Sequence, residues 1–370
     1  MAETILQFGT GRFLRGFADF FVHEANEAGQ NVGGIVVVQS TAGVRAEGLK
    51  GHDGYHLALR GYEDGQVIDR TINIRSISRA LEAGKDWAAV LKFGAFADLK
   101  WIWSNTTEVG LALDEQDTLT DDPPRSYPAK LTRVLWARFQ AGKPGVPVLP
   151  CELIENNGVV LHNLVRDQAN RWKLPADFLS WLEVECVWLN SLVDRMVLGA
   201  PADHPLYGKD PMLIMGEPYA LWGIEKPKNR PFDFIKHPKI EIVDDLTPYY
   251  LRKVRILNGI HTAMVGKYMP KGFETVQQVM KDPAALDWVL GLLYEEILPA
   301  IAYRVPDVAR FARQTLDRFQ NPFLAHKLSD IAAKHEAKRK VRLETTISEY
   351  GKLFGKKPVK LLEAIEFTPT

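Results

Sequence analysis

Cysteine is scarce in this sequence, and neither sign of charge is in excess. Of 370 residues only Cys151 and Cys186 are cysteines, too few for a disulfide scaffold or a four-cysteine zinc site. Lysine and arginine together number 46, and aspartate and glutamate also number 46, so the formal net charge is zero. A nucleic-acid-binding protein needs a basic excess to neutralise phosphates. These absences exclude a disulfide-rich mini-protein and argue against a nucleic-acid partner.

Long hydrophobic runs are also absent. No stretch of about 18 apolar residues occurs, and the N-terminus has no basic segment followed by an apolar one. We therefore expect neither a membrane-spanning helix nor a signal peptide. With so few cysteines, this predicts a cytoplasmic protein without a membrane partner. The hydrophobic content of 46% and the charged content of 25% are ordinary for globular chains, and the length predicts two domains.

The first half of the chain alternates short apolar runs with segments of helical length. The run at 35–38 is continuous and β-branched, as in a strand that is buried on both faces. Strand, helix and strand in repetition predict a parallel sheet with helices on both faces. We expect late strands at 213–215 and 240–243 to extend this sheet. The earlier predicted strands lie at 4–8, 35–38, 101–104, 146–149 and 186–189, and the predicted helices at 12–28, 86–93, 128–140 and 159–172.

The pattern changes near residue 247, after which helical periodicity dominates. Thr247 is followed by a proline, a pair that is typical of a helix start. No convincing strand follows, so we predict a helical domain from this point onward. Its predicted helices lie at 251–268, 284–303, 307–319, 322–339 and 347–354.

A glycine-rich turn follows the first predicted strand and opens a helix. Gly9 would permit the tight turn, and Gly11 would let backbone N–H groups approach a pyrophosphate at the positive end of the helix. The third glycine of the usual fingerprint is replaced by Leu14, and Gly16 follows two residues later. Because such a fingerprint belongs in the first strand-to-helix turn of an α/β chain, we predict a dinucleotide site.

The end of the second strand leaves the type of dinucleotide open. An acidic residue there would hold the ribose hydroxyls of NAD, but the sequence has Gln39, Ser40 and Thr41, with Arg45 nearby. These residues by themselves leave NADP open beside NAD. A methyltransferase also uses a glycine-rich first turn, but it would normally place a carboxylate here, so that alternative is disfavoured.

Lys253, Asn258 and His261 lie close together near the start of the helical half. At about 100° per residue in an α-helix, Asn258 falls roughly 140° and His261 roughly 80° from Lys253, so all three can edge one cleft. A lysine that is partly withdrawn from water can accept a hydroxyl proton, and asparagine can donate to a developing alkoxide. On spacing alone, an ordinary amphipathic helix with locally bonded side chains is the simpler interpretation.

Several motifs taken together change that interpretation. The sequence resembles the mannitol dehydrogenase family of polyol-specific long-chain dehydrogenases, whose catalytic signature Lys-x4-Asn-x2-His is matched by Lys253, Asn258 and His261. The remaining matches run in family order along most of the chain. They are Gln7-Phe8-Gly9, Phe13-Leu14-Arg15, Ser104-Asn105-Thr106-Thr107-Glu108, the segment 126–133, Pro150-Cys151-Glu152-Leu153-Ile154, Leu192-Val193-Asp194-Arg195, Lys253-Val254, Ile256-Leu257-Asn258-Gly259, His261-Thr262-Ala263, Arg318-Phe319 and Asn321-Pro322.

The resemblance implies an α/β Rossmann-type N-terminal domain, residues 1–247, and a mostly α-helical substrate and catalytic domain, residues 248–370, with a substrate cleft between them. It also implies NAD as the cofactor and no metal. Lys253 would be the general base, Asn258 a donor to the reacting oxygen, and His261 a group that orients the substrate. The implied cofactor-binding residues are Phe8, Gly9, Gly11, Arg12, Phe13, Leu14, Gln39, Ser40, Thr106 and Glu108. The implied substrate-binding residues are Asn157, Asp194, Lys338 and Arg342.

The implied reaction interconverts a secondary alcohol of an acyclic six-carbon sugar acid or sugar alcohol and the corresponding ketose form. Altronate with tagaturonate, and altritol with tagatose, share their hydroxyl configurations and rank almost evenly. Mannitol-type and sugar-phosphate substrates rank lower, and Glu152-Leu153 and Tyr250 depart from the mannitol dehydrogenases. A protein that binds NAD(H) without catalysis is a remote alternative, since the lysine, asparagine and histidine are all retained. The chain ends well before a full-length member would, so fewer C-terminal helices are expected, and its oligomeric state is open.

Overall fold

The computed structural model describes residues 1–50, 53–107, 110–228 and 230–367. The chain forms two compact units, each assembled from more than one segment. Unit 1 comprises Met1–Leu59, Arg70–Gly216 and Ala220–Leu246. Unit 2 comprises Arg60–Asp69, Glu217–Tyr219 and the chain from Thr247 onward.

Unit 1 is built on a six-stranded parallel sheet. The strands that the described residues form are β1 (Glu3–Phe8), β2 (Gly34–Gln39), β3 (Tyr55–Glu63), β4 (Gln66–Ile74), β5 (Ile77–Glu82), β6 (Trp101–Ser104), β7 (Pro147–Pro150), β8 (Val187–Trp188), β9 (Ser191–Asp194), β10 (Val197–Gly199), β11 (Ile214–Gly216), β12 (Leu221–Glu225) and β13 (Ile240–Val243). The main sheet has the order β5-β2-β1-β6-β7-β8, with all neighbours parallel. In this doubly wound order the strand sequence reverses between β1 and β6, and ligands bind at the carboxyl ends of the strands there.

Seven helices of the described residues flank this sheet. They are α1 (Arg12–Arg15), α2 (Ala18–Glu27), α3 (Arg45–Leu49), α4 (Ala83–Gly94), α5 (Tyr127–Gln140), α6 (Asn157–Arg171) and α7 (Ala176–Val184). Helix α5 begins where the sequence supplies its cap, because the Ser126 hydroxyl accepts the N–H of Ala129 and Pro128 occupies the first turn. The helix predicted over 12–28 is divided at Gly16, which packs against Val197.

The central strands send side chains into two cores, one on each face of the sheet. In β2, Ile35 and Val37 join one core, and Val36 and Val38 join the other, and all four are fully buried. Helix α2 packs in the first core, whereas α4 to α7 pack in the second. The predicted parallel sheet with helices on both faces is confirmed. Its central strands could be recognised in the sequence because strands buried on both faces appear as continuous apolar runs.

The expectation that the late strands extend this sheet is wrong. Strand β11 belongs to a four-stranded sheet of order β10-β11-β3-β4, and β13 belongs to a three-stranded sheet of order β13-β12-β9. The reason lies in their partners, because β11 pairs with β3 and β13 pairs with β12. Neither partner strand was predicted from the sequence.

Unit 2 is mostly helical. Its helices are α8 (Thr247–Arg252), α9 (Asn258–Tyr268), α10 (Val276–Lys281), α11 (Pro283–Gly291), α12 (Leu298–Ile301), α13 (Val308–Phe319), α14 (Leu328–Ala332), α15 (His335–Arg339), α16 (Thr345–Phe354) and α17 (Val359–Ile365). Three π-helical segments, Lys253–Leu257, Leu292–Ile297 and Lys340–Glu344, join α8 to α9, α11 to α12 and α15 to α16. Across the described residues, no helix has the length and apolar character needed to cross a membrane.

Helix α9 forms the centre of unit 2. Ile260, Met264 and Val265 are fully buried in its core, and most of the helix is buried on every side. The helix predicted over 322–339 is instead two short helices, α14 and α15. Lys334 interrupts them with a left-handed φ of +55°, and Lys327 forms an isolated β-bridge with Thr275.

Candidate functional site

The turn after β1 contains two glycines with different surroundings. At one of them the backbone conformation requires glycine, and the other borders open space. Gly9 has a φ of +127°, and a Cβ there would lie 3.0 Å from the carbonyl oxygen of Asn105. Gly11 has an ordinary φ of −63°, and its Cβ would meet no atom within 4 Å. A Cβ on Gly16 would lie 2.7 Å from Val197, so the glycine needed for close packing stands two residues after the usual third position.

A cavity of about 1020 Å³ opens at the carboxyl ends of β1, β2 and β6. Its position matches the place where the strand order reverses, and its size suits a dinucleotide. Of the predicted cofactor-binding residues, those on its wall are Phe8, Gly9, Gly11, Gln39, Ser40 and Thr106. Thr41, Arg45, Asn105, Thr107, Tyr127 and Lys130 also line it. That these residues bind a cofactor stays a prediction. The cavity specifies the place on unit 1 where that cofactor would lie.

Gln39 braces the loop that follows β2. Its amide nitrogen donates to the carbonyls of Thr41 (3.0 Å) and Gly43 (2.8 Å), and its side-chain oxygen accepts the N–H of Ala46 (2.8 Å). These bonds hold the loop that carries Ser40 and Arg45 on the cavity wall. Gln39 thus shapes the place where a ribose would bind rather than offering a free amide to it.

The remaining predicted cofactor residues lie away from the cavity wall or outside the described ranges. Leu14 is buried in the core, and the Phe13 ring stacks on Phe17 with a centroid distance of 4.9 Å. Arg12 is exposed. Because the Leu14 side chain faces the core, any contact it makes with a cofactor must come from its main chain. Glu108 lies outside the residues that the structure describes.

Two residues of α5 on the cavity wall were missed as candidates. The ring of Tyr127 lies 5.3 Å from that of Phe8, centroid to centroid, and Lys130 Nζ donates to the carbonyl of Arg125 at 2.5 Å. Both Tyr127 and Lys130 lie in the segment 126–133, which the sequence had marked as a family motif. Nothing local distinguished them from helix core, because only the packing of α5 brings them to β1.

Asn157 and Asp194 are both buried in unit 1. The Asn157 amide nitrogen donates to the carbonyls of Pro150 (3.1 Å), Glu152 (3.0 Å) and Ser191 (3.1 Å), and its oxygen accepts the Ser191 N–H (2.9 Å). Asp194 ends β9, opposite Leu221. The amide of Asn157 therefore ties β7 to β9. Substrate binding by either side chain stays a prediction.

The bonds of Asn157 predict a loss of stability when its amide is removed. We expect Asn157→Ala to lower the free energy of unfolding by about 2 kcal/mol, since buried main-chain groups lose their partners. Urea denaturation measures the change. Asn170→Ala, on the exposed side of the same helix, is the control, with an expected change within about 0.5 kcal/mol. Unchanged stability with a raised substrate KM would instead assign Asn157 to the substrate.

A π-turn sets the geometry of the Lys-Asn-His group. Residues Lys253–Leu257 form a π-helix, in which the N–H of Asn258 donates to the carbonyl of Lys253 five residues earlier. Asn258 therefore lies about one turn beyond Lys253 on the same side, and the 140° separation expected for an α-helix is wrong. His261 follows three residues later in α9, on the same side as Asn258. The three side chains share one side of the helix.

His261 is a buried, neutral imidazole among cationic side chains. Its ring lies 4.6 Å from that of Phe319 and 4.8 Å from that of His326. Its Nε2 is buried and bonds to none of the described residues. Burial lowers the pKa of His261 well below its ordinary value, and His326, Arg318, Arg342 and Lys338 lower it further. The lowered pKa favours the neutral ring, and Nε2 is the ring nitrogen that has no hydrogen-bond partner among the described residues.

The predicted substrate residues of unit 2 lie beside this histidine. Arg342 Nη1 donates to the Thr262 hydroxyl at 3.1 Å, and Lys338 Nζ donates to the carbonyl of Ile331 at 2.8 Å. Burial lowers the pKa of Lys338 and of Arg342. Both lie close enough to His261 to lower its pKa, so the structure brings the two predicted cations to the predicted catalytic helix.

Arg318 and His326 were missed by the sequence as site residues. Arg318 forms a buried bidentate pair with Glu217, with Nε–Oε2 and Nη2–Oε1 distances of 3.0 and 2.9 Å. Arg318 lay in a quoted family motif, whereas His326 carried no signal. Both are more than fifty residues from His261 in sequence, so only the tertiary fold brings them together.

The groups close to His261 are mainly nitrogen-bearing side chains, namely His326, Arg318, Arg342 and Lys338. Within the ranges that the structure describes, no three histidine, cysteine, aspartate or glutamate side chains form a group that could hold a metal ion. Both cysteines are buried, and burial raises their pKa.

Models of two protein families match the chain in succession. The mannitol dehydrogenase Rossmann domain matches residues 3–236, and the mannitol dehydrogenase C-terminal domain matches residues 245–365. Two solved structures share this fold. Pseudomonas fluorescens mannitol 2-dehydrogenase, in a ternary complex with NAD and D-mannitol, is 22% identical with a TM-score of 0.76, covering 99% of this chain and 78% of that one. A substrate-free D-sorbitol dehydrogenase is 21% identical with a TM-score of 0.83, covering 99% and 81%.

Curated relatives are similar over almost the whole chain. The altronate oxidoreductase of Bacillus subtilis strain 168 is 39% identical, over 97% of this chain and 78% of the relative. That of Halalkalibacterium halodurans is 36% identical, over 98% of this chain and 73% of the relative. The resemblance that the motifs indicated, including the likeness to altronate oxidoreductase (tagaturonate reductase), is confirmed. The chain therefore belongs to the mannitol dehydrogenase family of oxidoreductases.

Proposed function

We propose that the protein is an NAD-dependent dehydrogenase that interconverts D-altronate and D-tagaturonate, with Lys253 as the general base. The observation that carries the choice of substrate is the pair of cations beside His261, Arg342 and Lys338. Arg342 bonds to the Thr262 hydroxyl and Lys338 to the Ile331 carbonyl, whereas Arg318 is already paired with the Glu217 carboxylate. A sugar acid brings a carboxylate, which arginine and lysine bind well, whereas a neutral alditol gains little from them. Relatives 36% and 39% identical to this chain are named altronate oxidoreductases.

The residues of unit 1 fit a dinucleotide. The open space in front of Gly11 leaves room for a pyrophosphate, and the cavity extends to the ends of β2 and β6. A nicotinamide bound there would accept or supply the hydride. We propose NAD because the family resemblance implies it. NADP is the competing cofactor. Arg45 on the cavity wall would explain NADP binding, because arginine binds phosphate well and NADP carries one phosphate more than NAD.

The residues of unit 2 would handle the proton and the substrate oxygens. In the oxidation, the unprotonated amine of Lys253 takes the hydroxyl proton while the hydrogen on carbon leaves with its electron pair. In the reduction, the protonated amine returns that proton to the ketone oxygen. The Asn258 amide donates to the same oxygen. Neutral His261 offers its buried Nε2 to a neighbouring hydroxyl.

A charge-removing variant tests the carboxylate site. We expect Arg342→Met to raise the KM for altronate about tenfold or more, because one charge-assisted hydrogen bond is worth about 1.5–3 kcal/mol. The KM or inhibition constant of altritol should change little. Lys340→Met, in the same π-helical segment but exposed, is the control. Equal losses with altronate and altritol would count against a carboxylate at Arg342.

The proposed reaction is tested by following the formation of the reduced cofactor through its absorbance at 340 nm. Altronate, altritol, mannitol and mannonate are each supplied with NAD and then with NADP. We expect signal with altronate and NAD, and none with mannonate, which differs in configuration. Signal only with altritol or mannitol would make the protein a polyol dehydrogenase. Cofactor binding without any turnover would favour a non-catalytic NAD(H)-binding protein.

A further inference from the structure

Glu152 is a buried carboxyl immediately behind the wall of the cofactor cavity. It follows β7 and is 1% exposed. Its Oε1 accepts the N–H of Thr106 at 2.9 Å, and its Oε2 accepts the hydroxyl of Ser104 at 3.1 Å. Thr106 lines the cavity, and Ser104 ends β6. The carboxyl therefore holds the segment 104–106 from behind.

The hydrogen bonds of Glu152 suit the ionised carboxylate. Both oxygens accept from donors, and hydrogen bonds donated to a carboxyl group favour its charged form. None of the ion pairs among the described residues includes Glu152, so its charge has no cationic partner there. Burial raises the pKa of this carboxyl, and the bonds from Thr106 and Ser104 oppose that rise. A buried charge without a counter-ion is costly, and the hydrogen bonds donated to Glu152 offset part of that cost.

The sheet order indicates which half of a dinucleotide would lie near this charge. The glycine turn follows β1, and β2 lies on one side of β1 while β6 and β7 lie on the other. The end of β2 takes the adenosine ribose in such sheets, so the nicotinamide half extends toward β6 and β7. Glu152 lies two residues beyond the end of β7. The oxidised nicotinamide ring is positively charged, whereas the reduced ring is neutral.

We propose that Glu152 is a positioning residue that fixes the segment 104–106 for the nicotinamide half of the cofactor and whose negative charge favours the oxidised ring over the reduced ring. This inference rests on the proposed function, since it requires a nicotinamide cofactor. Two unit charges about 10 Å apart at an effective dielectric constant of about 20 change a binding constant roughly tenfold. An effect of that size is measurable without turnover.

The experiment measures the dissociation constants of NAD⁺ and NADH by calorimetry in the full chain and in three variants. We expect Glu152→Gln to weaken NAD⁺ roughly tenfold more than NADH, because the ring charge loses its partner. Glu152→Asp keeps the charge but is one methylene shorter. It should weaken both forms and preserve their ratio. Glu155→Gln, an exposed neighbour, should change neither constant.

The outcomes separate this inference from the proposed function. If the unmodified protein binds neither form, both fail. If Glu152→Gln weakens the binding of NAD⁺ and NADH equally, or changes the binding of neither, the cofactor assignment stands and the role of the charge is overturned. Should Glu152→Gln fail to fold, Glu152→Asp decides. A changed ratio there contradicts the charge assignment, and unchanged affinities contradict the positioning role.

Discussion

Replacing Lys253 with alanine is expected to lower kcat by about 10²–10⁴-fold, the range that general acid–base catalysis contributes. The affinity for NADH should stay close to that of the unmodified protein, because the residues that line the cofactor cavity all belong to unit 1. Stopped-flow and steady-state absorbance at 340 nm measure the rate, and fluorescence titration measures the affinity. Loss of turnover with retained cofactor binding is the pattern that a missing base produces.

The expectation follows from the π-turn. Because the N–H of Asn258 bonds to the carbonyl of Lys253, the two residues lie about one turn apart on the same side of the helix. A π-turn inside an α-helix is rare and is commonly found at functional sites. With His261 three residues further on, a proton acceptor and two hydrogen-bonding groups share one side of the helix. Alanine removes only the proton acceptor from this set.

Two controls make the result specific. Lys271→Ala, an exposed lysine beyond α9, should leave kcat unchanged. Methylamine added to Lys253→Ala should restore part of the rate, with a dependence on the concentration of the unprotonated amine. Undiminished turnover in Lys253→Ala would overturn the assignment of the base. A lowered rate that comes with loss of thermal stability, and without rescue by amines, would reduce Lys253 to a structural residue.

The main sheet was predictable because its central strands are buried on both faces. Ile35–Val38 is an uninterrupted β-branched run, and such runs in alternation with helices leave few arrangements other than a parallel sheet. Strand β4 was not predictable in this way. Most of its side chains are exposed, so it lacks an apolar pattern. Strands of three to five residues, such as β11 and β12, carry too few side chains to indicate which sheet they join.

The helices of unit 2 were predictable where one face is apolar. Helix α13 alternates buried and exposed positions and was found almost at its predicted bounds. The break between α14 and α15 depends on one left-handed residue, Lys334, which is not a residue type that favours that conformation. The π-helical segments were also not predictable. An extra residue in a helical turn leaves the apolar content of the segment unchanged, so the sequence pattern does not reveal it.

The candidate site likewise contains residues that local sequence patterns predict and residues that only the tertiary fold brings together. Gly9, Gly11 and the Lys-Asn-His spacing are local patterns, and a sequence shows them directly. The surroundings of His261 come from α13, α15 and the loop that carries His326, which are distant in sequence. The bracing role of Gln39 was also hidden, since its three partners are main-chain groups of a loop whose shape the sequence does not specify.

A side chain at Gly11 is expected to block the cofactor without disturbing the fold. Gly11 has a φ of −63° and a ψ of 160°, which valine adopts readily, and its Cβ would point into open space. If the pyrophosphate approaches the backbone there, Gly11→Val prevents its hydrogen bonds with the turn. Losing about 2–3 kcal/mol of such bonds raises the dissociation constant of NADH roughly a hundredfold. Fluorescence titration with NADH measures this change.

The neighbouring glycine supplies the contrast. Gly9→Ala forces a left-handed φ on alanine and brings its Cβ within 3.0 Å of the Asn105 carbonyl oxygen. We expect it to lower the free energy of unfolding by about 1–3 kcal/mol, whereas Gly11→Val should leave thermal unfolding almost unchanged. Gly11→Ala, with a smaller side chain, should fall between glycine and valine in cofactor affinity. If Gly11→Val binds NADH as tightly as the unmodified protein does, the pyrophosphate does not pass over this turn, and the cofactor must enter the cavity from the side of Tyr127 and Lys130.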